Sequence, residues 1–170
     1  MYQRILVPVD GSATSRCGLE EALRLARLCG AKVRLVHIVD QLKYVTGFGT
    51  YAYDSDLLPL MEEAGEQVLQ AGREMAASAG VEAETLLFTS PVKRVCDVVV
   101  EQAKTWKADL IVIGTHGRHG VGRLLLGSDA EQILRLAPVP VLLVRSPQED
   151  AAGGTATAMP ATADRVTVRA

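Results

Sequence analysis

The chain has 170 residues, with 18 Lys and Arg against 20 Asp and Glu and 48% hydrophobic residues. That is long enough for one domain with its own core, and with a net charge of −2 nothing global argues for a nucleic-acid partner or a membrane surface. No apolar run approaches the roughly 20 residues of a membrane span, and Met1-Tyr2-Gln3-Arg4 before a short strand does not read as a signal peptide, so the expected location is the cytoplasm.

Strand and helix signals alternate along the chain. Residues 5–9 (Ile-Leu-Val-Pro-Val) read as the first strand. An amphipathic helix is predicted over 13–29, with Cys17, Leu19, Ala22, Leu23 and Ala26 inward. Gly11 or Ser12 opens it and Gly30 stops it. Residues 32–39 are the second strand. Residues 40–55 have no period and hold three of the four tyrosines, which predicts a long loop. A second helix follows over 56–79, with Gly80 as its stop.

Residues 81–88 are the third strand. Ser90-Pro91 reads as a helix cap followed by proline at the first helical position. Val92, Val95, Cys96, Val99 and Ala103 then recur at helical spacing. Residues 109–113 form the fourth strand, 127 or 128 to 136 the fourth helix and 139–144 the fifth strand. The domain is expected to span 1–146. Residues 147–170 are rich in Ala, Thr and Gly and read as a flexible tail, although Arg165-Val166-Thr167-Val168-Arg169 alternates like a strand that could pair in a dimer.

Continuous apolar strands joined by helices predict an α/β fold with a parallel sheet covered on both faces. The expected strand order is 3-2-1-4-5, which places a switch point between strands one and four. Ligands in such sheets bind at the carboxyl ends of the strands beside that point. Strand one ends in Asp10-Gly11-Ser12, and strand four runs into the glycine-rich stretch 114–128.

That stretch combines close backbone approach with a helix N-terminus, the two elements of a phosphate cradle. Gly114, Gly117, Gly127 and Ser128 are its candidates, against the plainer reading of a loop that needs glycine only to turn. Arg118 and Arg123 can offset phosphate charge or face solvent. His116 and His119 read as solvated rather than catalytic, since no acid is evident to orient them. Asp10 is either a ribose or metal ligand or a turn residue in Asp-Gly-Ser. Asp129 suits a helix N-terminus but repels phosphate, so it turns outward or shares a divalent cation. His37 is expected to pack near the end of strand two. Cys17, Cys29 and Cys96 lack metal-ligand spacing and read as small buried hydrophobes or inert thiols.

Gly114-x2-Gly117-x9-Gly127-Ser128, the opening Ile5-Leu6-Val7-Pro8-Val9-Asp10-Gly11-Ser12 and the closing Ala137-Pro138-Val139-Pro140-Val141-Leu142-Leu143-Val144 together resemble the universal stress proteins, in their ATP-binding subgroup. The resemblance covers about residues 1–146. It implies a flavodoxin-like, adenine nucleotide alpha hydrolase-like domain that binds ATP, with Mg²⁺ held by Asp10 and the phosphates. Asp10 would hold the ribose or adenine side, the Ile38 backbone would read the adenine edge, and Pro8 and Val9 would line the pocket. The main chain of Gly117, Arg118, Gly127, Ser128 and Asp129 would hold the phosphates. The resemblance also implies a homodimer through strand 139–144, whose apolar edge invites pairing. The expected function is a nucleotide-dependent regulatory or stress-response module, with a possible regulatory protein partner. The alternatives are a slow ATP-hydrolysing enzyme, for which no catalytic residue is identified, and an interaction module without nucleotide turnover.

Overall fold

Ile5, Leu6 and Val7 are all fully buried, although successive side chains on a strand point to opposite faces. Such a strand must be covered on both sides, and the computed structural model, which describes residues 1–40, 57–90, 93–115 and 127–145, shows how. Five strands, β1 (Arg4–Pro8), β2 (Lys32–Asp40), β3 (Ala83–Ser90), β4 (Leu110–Thr115) and β5 (Val141–Arg145), form one sheet in the order β3-β2-β1-β4-β5. Every neighbouring pair is parallel. Among the described residues the helices are α1 (Ala13–Cys29), α2 (Leu57–Ser78), α3 (Val95–Thr105) and α4 (Ser128–Leu136).

Two cores follow from the alternation. Ile5, Val7, Val33, Leu35, Leu110 and Val112 point to one face and pack against Leu19, Leu23 and Ala26 of α1 and Leu69 and Ala76 of α2. Leu6, Val36, Ile111 and Ile113 point to the other, against Cys96, Val99 and Ala103 of α3 and Ala130 and Ile133 of α4. Each fully buried Leu or Ile is worth about 1.5–3 kcal/mol in apolar transfer. Below the sheet, Arg34 lies 4.7 Å from the centre of the Trp106 ring and pairs with Glu84 across to the edge strand.

Several element ends differ from expectation. The third helix starts at Val95 rather than beside Pro91, with extended Arg94 as its N-cap. Ser90 instead ends β3, paired with Asp40, and its Oγ accepts from the Lys93 N–H at 3.0 Å. Strand pairing thus carries β3 through the expected cap. β5 starts at Val141, because Pro140 brings no N–H to the ladder; its carbonyl accepts from Ile111 at 3.0 Å. Cys96 is buried as expected, but Cys17 and Cys29 are only half-buried. Among the described residues no helix is long and apolar enough to cross a membrane.

Candidate functional site

The first half of the site grows from the end of β1. Val9 adds one last rung, its N–H donating to the Val36 carbonyl at 2.9 Å. Asp10 and Gly11 then turn the chain, Gly11 with a φ of +81° that favours glycine. Ser12 caps α1 by accepting from the Ser15 N–H at 3.1 Å. Its own N–H donates to Asp10 Oδ1 at 2.9 Å. Asp10 is therefore a turn residue, and its carboxylate is also held in one orientation at the exposed strand end. Partial desolvation pushes its pKa up, but hydrogen bonds from Ser12 and Ser15 outweigh this and hold it below the usual carboxylate value.

β2 outruns β1. Even-numbered residues of β2 turn their backbone groups toward β1: Lys32 N–H donates to the Gln3 carbonyl, and the Val36 carbonyl accepts from Val9. By the same alternation the N–H and C=O of Ile38 face that side, beyond the last β1 rung. The Ile38 side chain packs against the core beneath α3. Pro8 is half-buried and Val9 buried beside this gap.

β4 supplies the other half. Leu6 pairs with Ile111, so extending that register sets Val9 level with Gly114 and Asp10 level with Thr115. A Cβ on Gly114 would lie only 1.8 Å from the Thr14 carbonyl oxygen. Packing against α1 therefore requires glycine at this position, whether or not a ligand also approaches it. Gly127 is different. It is the N-cap of α4, makes no side-chain cap, and a Cβ there would meet none of the described residues within 4 Å. The first described bond of α4 runs from Glu131 N–H to the Gly127 carbonyl at 2.9 Å, so the amides of Ser128, Asp129 and Ala130 precede the helical ladder. Ser128 is exposed and Asp129 half-buried in that first turn. Gly117 and Arg118, with His116, His119 and Arg123, lie outside the described residues.

Among the described residues no group of His, Cys, Asp and Glu is arranged to hold a metal ion. Asp10 is the described candidate residue at the β1 end that could share a cation with phosphate oxygens. Burial pushes the Cys96 thiol up, which suits an inert thiol. Among the described residues a groove of about 1450 Å³ runs between α1 and α2 over Leu19, Leu23, Val68 and Met75. It meets the β1 turn at one end only, and its apolar floor is not suited to phosphate. Sequence reasoning passed over Thr14, Gly18 and Gly65. Glycine inside a helix was the signal for the last two.

A parallel sheet in the order β3-β2-β1-β4-β5, in which the progression of the chain reverses between β1 and β4, defines a doubly wound α/β domain of the flavodoxin-like kind. The chain belongs to the universal stress protein family, whose sequence profile matches residues 1–145. A universal stress protein of Methanocaldococcus jannaschii is 35% identical over 153 residues, 88% of this chain and 86% of the relative. The crystal structure of a family member from Burkholderia pseudomallei is similar with a TM-score of 0.68 at 33% identity, over 84% of this chain and 96% of that one. A universal stress protein of Archaeoglobus fulgidus in complex with dAMP is similar with a TM-score of 0.60 at 26% identity, over 84% and 98% of the two chains.

Proposed function

We propose that this protein binds ATP with Mg²⁺ in the crevice between the ends of β1, β2 and β4, and acts as a nucleotide-dependent regulatory module of the cytoplasm. The observation that carries the reading is the N-terminus of α4. The amides of its first turn precede the helical ladder, its cap is a glycine, and among the described residues no atom lies within 4 Å of where a Gly127 Cβ would stand. Such an end binds anions through the N–H groups of its first turn and its partial positive charge. The complex of the Archaeoglobus fulgidus relative with dAMP supports a nucleotide as the anion's source. In this reading Asp10 binds the ribose or a shared cation, the Ile38 backbone reads the base, Pro8 and Val9 line the pocket, and Gly114, Gly117, Arg118, Gly127, Ser128 and Asp129 surround the phosphates. Mg²⁺ would balance the negative charge that Asp10 and Asp129 add. Two copies would associate through the free edge of β5.

Calorimetric titration with ATP and Mg²⁺ tests the proposal. Saturable heat and a rise in melting temperature are expected. Neither heat nor thermal shift at millimolar ATP would sink it.

A further inference from the structure

His37 stands one residue before Ile38 on β2, half-buried on the face covered by α2. Its Nδ1 lies 2.8 Å from the Val9 carbonyl oxygen. A carbonyl only accepts, so Nδ1 carries the hydrogen and donates it. That carbonyl has a regular destination. In the β1–β2 register Pro8 pairs with Val36, and Val36 already receives the Val9 N–H. A continued parallel ladder would send the Ile38 N–H to the Val9 carbonyl next. The described hydrogen bonds hold no such rung. The imidazole takes its place.

We propose that His37 is a positioning residue that keeps the Ile38 N–H free for an adenine edge by taking the Val9 carbonyl onto its own ring. The proposal rests on the nucleotide reading above and adds what selects the base. Adenine presents an accepting ring nitrogen beside a donating amine. The Ile38 N–H and C=O, both turned to the crevice, match that order. Hypoxanthine presents the reverse, a ring N–H beside a carbonyl. An Ile38 N–H spent on Val9 would leave adenine without its donor.

A second observation concerns the ring's seat. Gly65 lies within α2, where glycine disfavours the helix. A Cβ there would stand 2.7 Å from His37 Cδ2 and 3.2 Å from Nε2, and 2.7 Å from Leu87 Cδ1. The helix gives up a side chain where the imidazole stands. α2 meets the same turn again at Gly11, whose Cβ would lie 3.0 Å from Val68. Ring, turn and helix are therefore seated together, which fixes the Val9 carbonyl toward Nδ1.

The test pairs amide hydrogen exchange on nucleotide-free protein with titrations of ATP and ITP. The variants are His37→Asn, whose amide nitrogen falls near Nδ1, and His37→Gln, whose amide does not. In the wild type the Ile38 amide should exchange about tenfold or more faster than that of Val36. His37→Gln should let the missing rung close and slow Ile38 exchange about tenfold, whereas general loosening would speed it. The preference for ATP over ITP should fall about tenfold in His37→Gln and persist in His37→Asn. His37→Phe carries the same test if His37→Gln does not fold. An Ile38 amide already protected in the wild type, or unchanged or faster in His37→Gln, overturns the proposal. So does an equal loss of ATP and ITP affinity. If the wild type binds neither nucleotide while the exchange pattern holds, the nucleotide reading falls and the ring's hold on the ladder stands.

Discussion

Gly18 and Gly114 meet without side chains between them. A Cβ on Gly18 would lie 2.7 Å from the Gly114 nitrogen, and one on Gly114 would lie 1.8 Å from the Thr14 carbonyl oxygen. α1 therefore rests on the bare backbone of β4 at the strand end that opens the glycine-rich stretch. Substituting Gly114→Ala should cost about 3 kcal/mol or more, because backbone rather than a flexible side chain must move. Urea denaturation measures this. A loss under about 1 kcal/mol would mean that α1 can slide off the strand.

Gly127→Ala should behave in the opposite way. Its φ of −58° suits any residue, and its Cβ would meet none of the described residues within 4 Å. Stability should change by less than about 1 kcal/mol. ATP affinity should fall about tenfold if phosphate approaches the α4 amides there. Unchanged affinity by calorimetry would remove Gly127 from the binding site.

Asp10 gives a pH signature. Its folded-state pKa lies below the ordinary value of 3.8, so the unfolded chain binds its proton more readily. The resulting stabilisation is present above the unfolded value and is lost as pH falls through the folded one. Asp10→Asn should therefore be less stable than wild type at neutral pH, with the gap narrowing below pH 3.8. Thermal melts of both proteins across that range check the sign. A gap that widens on acidification contradicts the hydrogen-bonded carboxylate.

The β5 edge can be tested by removing one donor. The even-numbered Pro140 turns its carbonyl to Ile111 of β4, so the N–H of Leu143 faces away from the ladder. Leu143→Pro should leave the β4–β5 pairing in place and block pairing of two edges. Sedimentation should show a dimer for wild type and a monomer for the variant. Leu134 and Leu136 on α4, the helix that precedes β5 in the chain, are 46% and 47% exposed. A wild-type monomer would refute pairing through this edge.

Arg34 offers a check on the lower rim. It stacks 4.7 Å from the Trp106 ring centre and hydrogen-bonds Glu84. Its hydrogen bonds and charge hold the Glu84 carboxyl below its usual value. Arg34→Lys keeps the charge but loses the planar stack and fork, so it should destabilise by about 1 kcal/mol. The exposed Arg16–Glu20 pair should contribute less when removed.

The sheet was readable from the chain because its physics is local and repetitive. A strand buried on both faces must be apolar without alternation, as residues 5–7 and 110–113 are. A helix covering one face must repeat every three or four residues, as Leu19, Leu23 and Ala26 do. From these, the five strands and four helices of the described residues and the order 3-2-1-4-5 followed. Element ends were less readable. Ser90-Pro91 has the composition of a helix cap, yet Ser90 is claimed by pairing with Asp40. A partner strand about fifty residues away outweighs a local preference.

Composition and spacing also pointed to the ends of β1 and β4, because glycine and aspartate after an apolar run have few other uses there. The task each residue performs came only with the packing. Gly114 looked like a ligand residue and is also where α1 touches β4. Gly65 carried no reading in the sequence and seats an imidazole. His37 looked like filler, yet its ring takes a carbonyl that the ladder would have used. Each of these depends on contacts between segments far apart in the chain, and no local pattern records which backbone atom will stand opposite a given side chain.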